Sequence, residues 1–403
     1  MDFVFSNKAK RITQIAMLIG LISVVVGFLT DHSEHHTHFW ANILVNGFYF
    51  FGIALGALFF YALQYATETG WSVLFKRVFE GIFSFLPIAS GVLLIVFLVG
   101  TFGGHHLYHW MDHNILEPFM EDGVTPNPEY DSIIAGKTAY LNKPFFWVRT
   151  LVYIATFLIF ARKFRERSLL EDQVGGTDIH FINYKKGATF LVFFAVFSST
   201  MSWDWIMSID THWFSTLFGW YTFSGIWVSF LISAILIVMY LKNKGYLTTI
   251  NDSHMHDMGK WMFAISFLWT YLWFSQFLLI WYSDIPEEVT YFIERIEHFK
   301  IPFFTMFFIN FILPMVMLMS RDAKKNNTFL LIVGGIIFLG HWMDAYLLVI
   351  PGTLHHWSFG WMEVGIFLGF LGLFVNRVFT AFTKAPLEPK NHPYLDECLH
   401  FHI

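Results

Sequence analysis

Residues 40–65 read WANILVNGFYFFGIALGALFFYALQY, and none of these 26 side chains carries a charge. About 20 apolar residues in a helix are enough to cross the roughly 30 Å of hydrocarbon in a bilayer. The run is far too long for a barrel strand, and in lipid a helix satisfies all of its own backbone polar groups. The stretch therefore predicts a transmembrane helix.

Nine more apolar stretches of this kind occur along the 403 residues. They cover residues 12–30, 80–103, 145–162, 186–209, 213–241, 259–282, 301–320, 328–350 and 358–382. Only 14% of the residues are charged, whereas a typical soluble domain has about 25%. We expect an all-α integral membrane protein with ten transmembrane helices, in one polytopic membrane domain that covers residues 1–403.

Lys and Arg side chains indicate the orientation of these helices. Most of the 25 lie in alternate segments that begin with the N-terminal one, where Lys8, Lys10 and Arg11 precede the first span. Because cytoplasmic segments of membrane proteins are enriched in Lys and Arg, both termini are predicted to be cytoplasmic. That orientation requires an even number of spans, which agrees with ten.

The opposite, outer side contains the two longest loops, residues 104–144 and 283–300, which are acidic and are expected to hold short surface helices. Twelve of the nineteen histidines fall on this side: His32, His35, His36, His38, His105, His106, His109, His113, His212, His298, His355 and His356. Some of their pairs resemble the histidine boxes of membrane di-iron oxygenases, and imidazole is a good iron ligand. Those boxes belong on the cytoplasmic side, so a histidine-rich surface that faces a partner is the favoured interpretation.

Ionisable side chains inside the spans are the first functional candidates, because a charge in hydrocarbon is costly. Arg149 in the fourth span and Asp204 in the fifth are expected at similar depths below the outer ends of their helices. We predict that they form an ion pair. Such a pair is either a structural strut between two helices or part of a binding site.

A second group of ionisable side chains lies near the outer ends of spans nine and ten. His341 and Asp344 are three residues apart and therefore share one helix face. A short turn at 351–357 would place Asp344 and Glu363 at similar depths, about 10 Å from the outer edge. Two carboxylates in lipid do not both ionise, so one is expected to hold a proton. His341, Asp344, Glu363 and Asp204 are therefore predicted to form a proton path, and the alternative is a polar core that only fixes packing.

The inner half of the spans offers mainly neutral polar side chains, such as Gln64, Ser233 and Ser266. Glu80 lies near the inner end of its span and is expected at the membrane interface. A proton route from the cytoplasm would therefore use water and hydroxyl groups.

Three segments resemble signatures of the polysulfide-reductase-like (NrfD-like) membrane subunits. They are residues 202–221, which begin with SWDWIMSID, residues 42–77, and residues 341–372, which begin with HWMDAY. The likeness extends over nearly the whole chain. Within the family it is closest to the smaller such subunit of alternative complex III.

This resemblance implies two four-helix bundles, residues 40–209 (spans two to five) and 213–350 (spans six to nine), flanked by spans one and ten. It implies a subunit of a quinol:cytochrome c oxidoreductase in the bacterial inner membrane, which oxidises menaquinol. The implied partners are a multihaem cytochrome c subunit, an iron–sulfur subunit, a larger homologous membrane subunit, lipids and a terminal oxidase, with no nucleic acid. Haem c and the iron–sulfur clusters would belong to those partners.

The resemblance also places a quinol site near the outer face of the first bundle, where Arg149 and Asp204 are the candidate residues. The single cysteine, Cys398, excludes a Cys-ligated iron–sulfur cluster in this chain. The resemblance further implies that this chain holds no metal and no redox cofactor of its own, with menaquinol as the candidate ligand, and we assign no catalytic residue. A stand-alone secondary transporter, with a solute site at broken helices near the midplane, is the alternative class.

Overall fold

The computed structural model describes residues 2–120, 122, 124–354 and 356–402, so His355 lies outside the described residues. Within that part of the chain, ten helices are long and apolar enough to cross a membrane. They are α1 (Asn7–Thr30), α2 (Glu34–Ala66), α3 (Val73–Thr101), α4 (Lys143–Val174), α5 (Asp178–Ile209), α6 (Phe218–Asn243), α7 (Asp252–Ser283), α8 (Lys300–Met317), α9 (Asn327–Gly352) and α10 (Trp361–Phe382). The prediction of an all-α membrane protein with ten spans is confirmed.

Helices α2 and α6 lie at the centre of the bundle. α2 packs against α3, α5 and α6, and α6 packs in turn against α7 and α9. The apolar part of α2 is wholly buried by protein. α1 and α10 pair with each other, and the lipid-facing side of α1 exposes residues such as Leu18, Leu21 and Ile22.

Small residues allow the closest helix contacts. A Cβ atom built on Gly20 would lie 2.2 Å from the Gly369 Cα atom, so α1 and α10 touch through their backbones. On α2, a Cβ atom at Gly56 would lie 2.8 Å from the Phe230 Cβ atom of α6. Glycines thus allow close packing of α1 against α10 and of α2 against α6.

The fourth span is longer than its apolar stretch predicts. α4 continues past residue 162 as a charged helix to Val174, and α5 begins at Asp178 rather than at residue 186. Pairs such as Arg162–Glu166, four residues apart, favour the helix beyond the membrane boundary. The extension therefore places further ionisable side chains at the end of the helix bundle.

Both termini lie at one end of the bundle, which we call the termini face. Phe3 packs against Phe379 and Phe382, and the Val4 N–H donates to the Tyr246 hydroxyl. The other end, the loop face, carries the two long loops. These loops contain the short helices Ser132–Gly136 and Pro286–Glu297, so the predicted surface helices are confirmed.

Candidate functional site

Asp344 lies in the interior of the protein, where α6, α7 and α9 meet. Its carboxylate accepts hydrogen bonds from the Tyr221 hydroxyl of α6 and from Trp269 Nε1 of α7, the latter at 3.0 Å. Only 5% of the residue is exposed. A buried carboxylate needs such donors, so two neighbouring helices supply one each.

His341 lies one turn before Asp344 on α9. Its Nδ1 atom is 3.8 Å from Asp344 Oδ2, which is too long for a hydrogen bond. The ring packs edge-on against Trp269, with 5.3 Å between ring centroids. The residue is 2% exposed, and neither ring nitrogen has a hydrogen-bond partner among the described residues. Both nitrogens are therefore available to exchange a proton.

A cavity of about 30 Å³ adjoins these two side chains, between α2, α6 and α9. Besides His341 and Asp344, the hydroxyl-bearing residues Tyr49, Thr222 and Ser229 line it, together with apolar residues such as Phe48 and Leu348. One water molecule needs about 10–15 Å³ of such space, so the cavity has room for two. We call this group of five polar side chains the interior site, and it is a chemically suitable place for proton transfer through water.

Hydroxyl groups continue from the interior site along α6 toward the termini face. Gly225 lies beside Asp344, and Ser229 and Ser233 follow it by one and two helical turns. Each serine donates to the carbonyl four residues earlier, at 2.7 Å. Ser266 on α7 is also buried, and its hydroxyl has no partner among the described residues. The inner half thus contains the hydroxyl groups that the sequence predicts for it.

Glu363 does not share a site with Asp344. α10 begins at Trp361, so Glu363 lies in the first helical turn, where its Oε2 atom accepts the Gly360 N–H at 2.7 Å. This is a capping interaction that holds the carboxylate at the helix start. The prediction of one carboxylate pair at equal depth is wrong, because the loop before α10 is longer than expected and leaves Glu363 nearer the loop face.

The partners of Glu363 come from α2. Its Oε1 atom lies 2.7 Å from His38 Nε2 and accepts a hydrogen bond from Asn42 Nδ2 at 3.0 Å. The interior site meets α2 at Tyr49, seven residues beyond Asn42, which corresponds to about 10 Å along the helix. Glu363 and His38 therefore form a separate site, which we call the rim site.

The rim site opens onto the loop face. Glu363 and His38 border a pocket of about 540 Å³ that is also lined by Asp31, His32 and His356. The pocket is thus lined by both imidazole and carboxylate groups. The rim site is therefore a link between a buried carboxylate and an open surface.

Two asparagines on α2 connect the rim site to α9, and sequence reasoning did not identify them as site residues. Asn46 Nδ2 donates to the Asn42 carbonyl oxygen, and Trp342 Nε1 donates to Asn46 Oδ1 at 3.0 Å. The adjacent Asn42 amide holds Glu363. The sequence does contain a signal for them, because an asparagine within an apolar span needs a hydrogen-bond partner when its amide is buried.

Arg149 and Asp204 form the ion pair that the sequence predicts. Arg149 Nε and Nη2 each lie 2.8 Å from one Asp204 oxygen, and the Tyr153 hydroxyl donates to the same carboxylate at 3.0 Å. The rings of Tyr140 and Phe145 lie 3.9 and 4.2 Å from the guanidinium carbon. Since both charged groups have partners and aromatic rings lie against the pair, the arrangement fits a strut between α4 and α5.

The termini face contains a cluster of buried ion pairs that the sequence does not place. Lys76 pairs with Glu171, and Arg77 pairs with Asp172 and, at 2.6 Å, with Glu80. Glu80 is 1% exposed, rather than open to the interface. The charged extension of α4 covers Glu80. The sequence does not predict this burial, because the apolar stretch of α4 ends before the extension begins.

Part of this cluster has the donors of a metal site. Ligand atoms of Glu171, His180 and His392 lie within 4.8 Å of one another, the one such group in the described ranges. Imidazole and carboxylate suit zinc or iron. However, the Lys76 ammonium already neutralises Glu171, so a divalent cation there would face a neighbouring positive charge. Burial and the Lys76 charge lower the pKa of His392 to about 2, so this imidazole is neutral.

Comparison with models of known protein families and with curated proteins finds no match. Residues 42–77, 202–221 and 341–372 each contain buried polar groups, as do other parts of the chain, for example at Arg149 and Glu171. Residues 341–372 hold the interior and rim carboxylates, residues 42–77 hold Asn42 and Lys76, and residues 202–221 hold Asp204.

Proposed function

We propose that this chain is a membrane subunit of a quinol-oxidising respiratory complex, of the NrfD-like kind called ActF in alternative complex III, and that it conducts protons. The observation that carries the proposal is the interior site. An imidazole with no hydrogen-bond partner among the described residues, a carboxylate and three hydroxyl-bearing side chains border a small, largely apolar cavity inside a ten-helix membrane bundle. Ionisable groups are costly in that position, and proton relays are a common reason for them.

The proposed route has two stations. Protons from the termini face reach the interior site along the hydroxyl groups of Ser233 and Ser229. They leave through Glu363 and His38 into the pocket on the loop face. Asn42 at the rim site and Tyr49 at the interior site are seven residues apart on α2, about 10 Å, and this gap requires water or side-chain motion to bridge it.

The loop face offers a surface for the proposed redox partners. A groove of about 750 Å³ there is lined by carboxylates and imidazoles. They are Glu34, Asp112, Glu129, Asp131, Asp210, His106, His109 and His212. Such an acidic surface suits a basic region of a multihaem cytochrome c subunit or an iron–sulfur subunit, because opposite charges speed association.

Quinol oxidation itself is assigned to the larger homologous membrane subunit. In this chain Arg149 and Asp204 are hydrogen-bonded to each other, and two aromatic rings pack against the Arg149 guanidinium. A structural strut explains these contacts without a ligand. We therefore propose that menaquinol, haem c and the iron–sulfur clusters bind to other subunits of the complex.

Purification of the tagged full-length chain from its native host tests the assembly. We expect it to co-purify in mild detergent with haem-stained cytochrome c and with menaquinol-dependent electron transfer activity. Isolation as a single haem-free protein with solute transport activity would instead identify a secondary transporter. Stoichiometric iron in the pure chain would favour the di-iron oxygenase interpretation. The described loop-face histidines and carboxylates do not support that interpretation, since no three of them bring ligand atoms within 4.8 Å of one another.

A further inference from the structure

A groove of about 420 Å³ opens toward the termini face between α3, α4 and α10. Its walls are largely apolar and include Phe83, Pro87, Leu158 and Ala381. A volume of this size is within the roughly 300–1,000 Å³ of ordinary ligand pockets.

The rim of the groove is strongly basic. Arg162 and Arg165 come from α4, while Arg377 lies near the end of α10 and Lys384 lies two residues beyond it. The single lining carboxylate, Glu80, is buried and already ion-paired. The groove therefore has an excess of positive charge.

Two of the four basic side chains have no acidic partner. The Arg377 Nε–H donates to the Ser84 carbonyl oxygen at 3.2 Å, which anchors the guanidinium at the rim. Neither Arg377 nor Lys384 forms an ion pair with a carboxylate in the part of the chain that the structure describes. Their charges are available to a ligand.

We propose that this groove binds an anionic phospholipid from the leaflet at the termini face. The phosphate would lie between Arg162, Arg377 and Lys384, because guanidinium and ammonium groups pair well with phosphate. An acyl chain would follow the apolar wall formed by Phe83, Pro87 and Leu158.

The position of the groove supports a lipid rather than a soluble anion. On α4, apolar residues such as Leu158 give way within one turn to Arg162, so the groove lies at the boundary between hydrocarbon and headgroups. Basic pockets at this depth between transmembrane helices are typical sites for anionic headgroups. Only an amphiphile matches both the charged rim and the apolar wall.

Native mass spectrometry of the purified full-length chain tests this proposal. We expect phosphatidylglycerol and cardiolipin to bind and to raise the melting temperature, whereas phosphatidylcholine binds more weakly. The double substitution R377Q/K384Q removes two basic groups, each contributing about fivefold, so the affinity for phosphatidylglycerol should fall about twenty-five-fold. The matched control K185Q/K186Q removes two exposed lysines outside the groove and should leave the affinity unchanged.

Three outcomes would overturn the proposal. They are equal affinity for phosphatidylcholine, unchanged binding in R377Q/K384Q, and displacement of the lipid by glycerol phosphate at equal concentration, which would show that the apolar wall plays no part. Displacement by an acidic peptide at equal concentration would indicate a protein partner instead. If the double variant does not fold, the exposed K384Q alone should still reduce the affinity about fivefold.

Discussion

His38 and Glu363 are 325 residues apart in sequence, yet His38 Nε2 lies 2.7 Å from Glu363 Oε1. The contact joins the start of α2 to the start of α10. The carboxylate is 1% exposed, while the imidazole borders an open pocket on the loop face. An internal acid is thus connected to the surface through an imidazole side chain.

Glu363→Gln should block the exit of protons while preserving the fold. Glutamine keeps the acceptor for the Gly360 N–H but has no ionisable group. We expect the protons released per electron by the complex in vesicles to fall at least about tenfold, with little change in electron transfer. A pH-sensitive dye outside the vesicles measures this ratio. Glu166→Gln, an exposed carboxylate away from both sites, is the control, and an unchanged ratio in E363Q would contradict the proposed route.

Asp344→Asn should interrupt the same route at the interior site. Asparagine retains an acceptor for Tyr221 or Trp269 but holds no exchangeable carboxyl proton. The interior site and the rim site act in series, so the more strongly blocked site limits the flux of protons. The double variant D344N/E363Q should therefore release no fewer protons than the more severely impaired of the two single variants. Multiplicative losses in the double variant would show instead that the sites serve separate routes.

Asp204→Ala should destabilise the protein strongly. Its loss leaves the Arg149 guanidinium buried without a carboxylate, a change that costs about 3–5 kcal/mol. Replacing both partners, as in R149M/D204L, should recover much of that stability, because no lone charge remains. Unfolding followed in detergent by tryptophan fluorescence compares the two variants. Equal destabilisation of the single and double variants would argue against a strut.

His105 makes the stability of the loop face depend on pH. Burial lowers its pKa to about 4, while its Nε2 atom keeps a 2.8 Å contact with the Val96 carbonyl oxygen. Between pH 6.5 and pH 4 the unfolded chain binds a proton that the folded chain does not, so stability falls by up to about 1.4 kcal/mol per pH unit as the pH drops.

The H105Q variant tests this dependence. Melting temperatures at pH 7 and pH 5 should differ less in H105Q than in the unchanged protein, because glutamine does not titrate but still donates to the carbonyl. The same difference in both proteins would mean that His105 is not responsible.

Gly369→Ala should loosen the α1–α10 pair. A Cβ atom at Gly369 would lie 2.5 Å from the Gly20 Cα atom, so the helices must separate, at a cost of about 1–3 kcal/mol. The matched control is Gly335→Ala on α9, where a Cβ atom meets nothing within 4 Å. The control should melt at or above the temperature of the unchanged protein, since alanine favours a helix. A G369A protein as stable as the control would show that the close contact is unimportant.

The sequence predicts the spans and the Arg149–Asp204 pair because both depend on quantities measured along one chain. Span number follows from apolar run length against membrane thickness, and the pairing follows from two similar depths. Two features escape such reasoning. α4 continues as a helix to Val174, and Glu363 lies in the first turn of α10, where it caps the helix, rather than deeper in the span. Both depend on where helices end, which an apolar pattern does not define.

By itself, the sequence determined that this chain forms ten membrane helices and that Arg149, Asp204, His341, Asp344 and Glu363 are ionisable groups within them. Only the tertiary structure decided how those side chains are grouped: Asp344 with His341 and Tyr221, and Glu363 with His38. The physical reason is that hydrophobicity is a local property of the chain. Hydrogen bonds between helices instead depend on how far each helix is rotated and shifted against its neighbours, and packing of the whole bundle sets that arrangement.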